Sequence, residues 1–385
     1  NNGLDLLSPA ALLRFVSQGL GQSGNERQRG ERFFALESRA GCSAFAELQV
    51  AVSLPQVQPH LNRYLQARTG REVSVRPLSD LTNGASDTPP TAVGTCSDGN
   101  SIYLPDEIDR FDTPADNRKV YKCLARFEAG LIEFGTYRFD LEKTLEQCSA
   151  IPDCCHPLDI DQIFTDREEA VSDLELFFGL FPQPQLAEDL FLIFEHGRVR
   201  HLLLQSYPGL GFTCLPMFQH EVRLDLPQSE PRGSLFPIYA HIACGLPTAD
   251  IQLSVPEGNH LMQETATLFE TAMQQEAGAA TADTSGLLVA TSYAAVEKTL
   301  AHSQQPDKNS GYQPLQTPFR RRIRPDLHHL SGLRVEQMVR SLKKQLADKG
   351  VHIYASVLRK LLASRSGELQ KHDIEKIIRR PESHT

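Results

Sequence analysis

Apolar positions recur at helical spacing along most of the chain and alternate at strand spacing only briefly. In "LSPAALLRFVSQGLG", Ser8 is placed to cap a helix and Pro9 suits its first position. "LPQVQPHLNRYLQARTG" repeats that form and stops at Gly70, a C-terminal signal. Residues 4–70 are therefore expected to be helical. "REVSVRPL", Arg71 to Leu78, alternates apolar and polar side chains and predicts a strand. "TNGASDTPPTAVG" predicts a loop, and "SDGNSIYLP" a turn with a short strand ending at Pro105.

Thr113 and Pro114 open a further helix, "TPADNRKVYKCLARFEAGLIEFGTYRF". In it Val120, Leu124, Phe127 and Leu131 form one apolar stripe. Residues 159–180 are acidic, and Pro182 and Pro184 break the pattern. Another helix is predicted from about Ala187 to Tyr207, stopped by "PGLG". Residues 208–258 hold many Pro and Gly and read as irregular. "PEGNHLMQETATLFETAMQQEAG" reads as a helix. "SQQPDKNSGYQPLQTP", 303–318, is polar, aperiodic and linker-like. "LRVEQMVRSLKKQLADKG" and "YASVLRKLLAS" are amphipathic. The pattern predicts a mainly α chain (α+β). It has a helical N-terminal region over 1–75, a helical core with a small sheet over 76–302, a linker, and a helical segment over 319–385.

Composition fits a globular protein: 385 residues, 40% apolar and 23% charged. That length has room for two or three domains. No run approaches the ~18–20 apolar residues of a membrane-spanning helix. The longest candidate, "LAEDLFLIFEHGRV", is broken by charges. No basic stretch followed by an apolar run marks a leader, and the missing initiator Met suggests a trimmed chain. The eight cysteines are scattered, which fits a reduced, cytoplasmic protein. Cys148, Cys154, Cys155 and His156 are zinc-ligand types in "CSAIPDCCH". A second cysteine pair is missing and adjacent cysteines rarely chelate one ion, so incidental thiols in a loop is the favoured reading.

Charge is uneven. From Thr317 onward there are 16 Lys and Arg against 7 Asp and Glu, a net of +9. The remainder then carries −18 of the total of −9. A basic C-terminal segment on an acidic body suggests mutual attraction or a docking surface for an acidic partner. Arg320, Arg321, Arg322 and Arg324 are the candidate docking residues. Nucleic acid is disfavoured, because the acidic body repels phosphates and aromatic neighbours are few.

"FEAGL", Phe127 to Leu131, matches the zinc-peptidase pattern H-E-x-x-H except at both ligand positions. That pattern works because residues i and i+4 share one helix face, and the Glu takes a proton from metal-bound water. Here only Glu128 remains. Glu195, on the later helix, stands in the order of a third ligand, with His196 and His201 nearby. A helix carrying one glutamate is commonplace, so a structural role suffices for it.

"VYKCLARFEAGLIEFGTYRFDLE" together with "LAEDLFLIFEHGRVRHLLLQSYPGL" resembles the NorD/CbbO family of von Willebrand A-containing proteins. "VSLPQVQPHLNRYLQARTGREVSVRPL" resembles that family's opening, and the likeness covers roughly residues 5–300. The family's two histidines fall on Phe127 and Leu131, its Asp after Glu falls on His196, and its later Asp falls on Arg200. Glu128, Glu133, Glu195 and Arg198 are retained. They are expected to form a buried ion-pair network joining the two helices. The resemblance implies a degenerate zincin-like core, no bound metal, and an adaptor for a hexameric MoxR-type AAA+ ATPase. ATP and Mg would sit on that partner. The client would be Rubisco, freed of inhibitory sugar phosphates, or, in the other branch, nitric oxide reductase. A divergent metallohydrolase using Glu128 and Glu195 is the alternative.

The cation-binding D-x-S-x-S of a von Willebrand A domain has its nearest match in "DTSGL", Asp283 to Leu287, which breaks off at Gly286 and Leu287. That domain is not expected in this chain. No Walker A pattern occurs, so ATP turnover is assigned to a partner.

Overall fold

The computed structural model of the chain describes residues 7, 9–23, 27–70, 73–82, 94–148, 171–229, 235–251, 256–276, 278–303, 312–348 and 353–364. The chain is mainly helical with a small sheet, as its patterning predicts. Helices α1 (Pro9–Ser23), α2 (Arg27–Phe34) and α3 (Arg39–Leu48) pack on one another around Phe15, Phe33 and Leu48. Strand β1 (Val52–Ser53) leads into α4 (Leu54–Thr69). Gly70 ends α4 at φ +65°, where its N–H reaches Gln66 O. Only glycine takes that backbone state without strain, so the sequence signal and the stop coincide. Leu54, Val57, Leu61 and Leu65 of α4 belong to the main core, apart from the cluster of α1–α3. Packing thus divides the predicted 1–75 region near Val50.

Strands β2 (Ser74–Pro77), β3 (Cys96–Ser97), β4 (Ser101–Leu104) and β5 (Glu107–Ile108) are short. The three-stranded sheet has the order β2-β4-β3, with β2 parallel and β3 antiparallel to β4. β1 pairs antiparallel with β5, Val52 opposite Ile108.

Helix α5 (Pro114–Glu133) starts as its sequence requires. The Thr113 hydroxyl accepts from Asp116 N–H, and Pro114 occupies the first turn. Its Tyr121 hydroxyl lies 3.1 Å from Val52 O and 2.9 Å from Pro105 O, tying the helix to the small sheets. Helices α6 (Leu141–Gln147) and α7 (Asp173–Gly179) follow, the second opened by a Ser172–Glu175 capping box.

Helix α8 (Pro184–Ser206) is buried on almost every side, including Leu190, Phe191, Phe194, Glu195 and Val199. A helix buried around its circumference is a core helix, and α8 is the central post of the molecule, with Asp189, Glu195, His196 and Arg198 among its buried residues. Gly130 lets α5 approach it closely. A Cβ there would stand 2.9 Å from Val199 Cγ1 and 3.0 Å from Leu203 Cδ1.

Residues 208–258, expected to be irregular, contain α9 (Leu215–Ser229) and α10 (Phe236–Ile242). Pro216 and Pro237 each stand second in their helix, where the missing N–H breaks no intrahelical bond. They start helices there. Helix α11 (Pro256–Gln275) was expected; α12 (Ala282–Ser303) was not. The small residues of α12 dilute its apolar periodicity, yet it packs along α8. Finally α13 (Pro325–Ala347) and α14 (Ala355–Ser364) share a satellite cluster of Val339, Leu342, Leu346, Leu358 and Leu362.

The predicted linker is only partly within the described residues. Its second half is packed: Leu315 is buried, and Leu315 N–H and the Tyr312 hydroxyl both donate to Asp189, at 2.6 and 2.8 Å. Cys154, Cys155 and His156 lie outside the described residues. Among the described residues no helix is long and apolar enough to cross a membrane.

Candidate functional site: a sealed carboxylate between two buried helices

The face of α5 that would carry metal ligands is closed. Phe127 is 2% exposed and Leu131 0%. The Phe127 ring meets Phe218 of α9 edge to face, centres 5.0 Å apart. Both predicted positions are therefore hydrophobic packing.

Glu128 is wholly buried and faces a cation that sequence reasoning did not pair with it. Arg321 Nε stands 3.9 Å from Glu128 Oε1, too far for a hydrogen bond. Among the described residues neither Glu128 oxygen has a hydrogen-bond partner, nor do Nε and Nη2 of Arg321. Burial pushes the Glu128 pKa up to about 8, with the Arg321 charge pulling the other way. The guanidinium carbon of Arg321 lies 5.0 Å from the centre of the Phe127 ring and 5.1 Å from that of Phe218. A cation over two aromatic faces gains from both ring quadrupoles. His196 is buried nearby on α8, its ring 6.1 Å from that of Tyr239. Burial, then the charges of Arg321 and Arg322, hold its pKa well below the ordinary 6.5, so the imidazole is neutral.

Glu195 belongs to a second, fully bonded arrangement. Arg198 Nε donates to its Oε2 at 2.8 Å, as does the Ser285 hydroxyl at 2.7 Å. The Thr136 hydroxyl and Arg198 Nη2 donate to Oε1. Burial alone would raise the Glu195 pKa, but the Arg198 charge and these hydrogen bonds outweigh it and lower the value. Arg198 also donates to Ala280 O at 2.8 Å and Phe134 O at 3.1 Å. One arginine so fastens α8 to the end of α5 and the approach to α12.

Glu133 is elsewhere again. Its Oε2 accepts from Arg126 Nη1 at 2.7 Å and its Oε1 from the Tyr207 hydroxyl at 2.8 Å. The single network expected of Glu128, Glu133, Glu195 and Arg198 is thus three separate arrangements. Retained residue types gave no hint of Arg321, which comes from far along the chain. Both oxygens of Glu195 are already engaged by donors from Thr136, Arg198 and Ser285. Among the described residues no group of three or more His, Cys, Asp or Glu could hold a metal ion. His201 is half-buried at the edge of α8, 2.9 Å from Gln205.

Two of the four candidate docking arginines turn into the body. Arg321 is buried in the site just described. Arg322 pairs with buried Asp189 at 3.0 Å. Arg324 forks onto Asp326 at 2.8 and 2.7 Å. The side chain of Arg320 lies outside the described residues. Two of these arginines face inward because the acidic body supplies buried carboxylates and ring faces that guanidinium groups can use. Asp283 and Ser285 of the "DTSGL" stretch are taken up as well. Asp283 accepts from Lys143 Nζ at 2.6 Å, and Ser285 is the Glu195 donor above. No family model, curated protein or solved structure matches the chain.

Proposed function

We propose that the chain is a non-catalytic adaptor. It links a hexameric MoxR-type AAA+ ATPase to a client enzyme in the cytoplasm. The favoured client is Rubisco, from which ATP-driven remodelling would release inhibitory sugar phosphates. ATP and Mg would belong to the ATPase ring. The reading rests on the resemblance of the two helix blocks, now α5 and α8. The observation that carries its non-catalytic part is the closed face of α5. Phe127 and Leu131 are buried where a peptidase would hold histidines, and Glu128 is sealed beneath Arg321. A general base must reach water or substrate, and this carboxylate is wholly buried.

The test is reconstitution. The purified chain is mixed with rings of MoxR-type ATPases encoded beside Rubisco or beside nitric oxide reductase. ATP hydrolysis and reactivation of each client are then measured. Stimulated turnover with the Rubisco-linked ring, and recovery of sugar-phosphate-inhibited Rubisco, is the expected outcome. Response only with the other ring moves the client to nitric oxide reductase. Unchanged hydrolysis with every ring refutes the adaptor.

A further inference from the structure

Residues 312–324 form a strap across the body, and its seating has the chemistry of a bound peptide. Arg321 turns into the pocket of Phe127, Phe218 and Glu128. The next residue, Arg322, turns onto Asp189 of α8 through Nη1 at 3.0 Å. Neighbouring side chains enter different pockets, as in an extended segment. Arg321 itself has φ −64° and ψ 128°. The backbone is held as well: Arg322 N–H donates to Thr95 O at 3.0 Å, next to β3. Leu315 N–H donates to Asp189 at 2.6 Å, and within the strap the Thr317 hydroxyl donates to Arg321 O at 3.0 Å. Main-chain hydrogen bonds with alternate side-chain pockets are the usual means of recognising an extended peptide.

Two observations mark this ligand as exchangeable. The Arg321–Glu128 pair is buried at 3.9 Å without a hydrogen bond, so its desolvation is poorly repaid. Phe319, two residues earlier, sits at φ +59°, a left-handed state unfavourable for a bulky side chain. The strap therefore holds its place against both strain and desolvation.

We propose that this cleft is a recognition groove for an extended segment bearing two adjacent arginines. Arg321 and Arg322 fill it in cis, and an arginine pair on another protein fills it when the strap withdraws. The groove is planar-cation specific. Two ring faces stack a guanidinium better than an ammonium, and the second guanidinium spans two acceptors, Asp189 through Nη1 and Leu315 O through Nη2.

The test uses the full chain with Arg321→Ala and Arg322→Ala, and a fluorescent peptide of the strap sequence, "YQPLQTPFRRRIRP". Anisotropy should show binding to the double variant, and at least about tenfold weaker binding to the unaltered chain, whose tethered strap competes at high effective concentration. Lysine in place of the two peptide arginines that correspond to Arg321 and Arg322 should weaken binding about tenfold. Equal affinity for both proteins, or a lysine peptide that binds as well, overturns the proposal in favour of plain attraction to an acidic surface. If the double variant does not fold, the same titration is run on the full chain with Arg322→Ala alone, which leaves the Arg321 pocket filled. Peptide binding should still be tighter than to the unaltered chain, because the clasp on Asp189 is gone. Binding no tighter than to the unaltered chain overturns the groove.

Discussion

Replacing Arg198 by Met removes the cation shared by both oxygens of Glu195 and leaves that carboxylate buried. Met keeps much of the stem volume, so packing changes little. Breaking one side of a buried pair costs about 3–5 kcal/mol. The freed acceptors Ala280 O and Phe134 O add roughly 1 kcal/mol each where water cannot reach them. At about 2–4 °C per kcal/mol for a large domain, the melting temperature should fall by roughly 10 °C or more. The pH dependence sharpens the test. In the native fold the Glu195 pKa lies below its ordinary 4.5, because Arg198 and the hydroxyl donors outweigh burial. That contribution is present above the unfolded value and lost as pH falls through the folded one. Without Arg198 burial dominates, so the variant carboxyl should prefer its proton. The gap between the two proteins should be widest at pH 8 and narrow towards pH 5. Calorimetry at both values measures it. A loss under about 1 kcal/mol, or a gap independent of pH, would refute the view that this pair anchors α8.

Glu128→Gln should be nearly neutral at acid pH and stabilising at high pH. The folded Glu128 pKa is raised to about 8, so its favourable contribution is full below the unfolded value and lost as pH rises through 8; melting curves between pH 5 and pH 9 that stay parallel would contradict this. Gly130→Val should destabilise by about 1–3 kcal/mol, because its Cβ already conflicts with Val199 and Leu203; denaturant titration checks it. Asp189→Ala removes the acceptor of Tyr312, Leu315 and Arg322 together, so amide exchange should quicken at Leu315 and Arg322 but not in α4; uniform quickening would mean global loosening instead.

The legible parts of the fold were those governed by local rules. Thr113 with Pro114, and Gly70, gave helix ends that the structure repeats, because capping and left-handed glycine act within a few residues. Pro216 and Pro237 misled, because a proline reads the same whether it opens or breaks a helix. Helix α12 escaped notice, because Ala, Ser and Thr pack a close helix contact without an apolar stripe. At the site, the packing of Phe127 and Leu131 could be read from their side chains. The partners of Glu128 and Glu195 could not. Arg321 and Ser285 arrive from distant segments, and charge pairing across such separations leaves no periodicity to read.

The burial of α8 has a consequence for synthesis. Arg198 is fastened to Ala280, 82 residues later, so α8 emerges from the ribosome well before the chain that covers it. At about 5–20 residues per second this apolar post waits on the order of 4–16 s for its cover, and longer for the strap that clasps Asp189. During that interval the nascent chain is a natural client for a general chaperone. A translational pause placed once α8 has cleared the ribosome but before α12 is made should lower the yield of folded protein more than one placed after the strap has emerged.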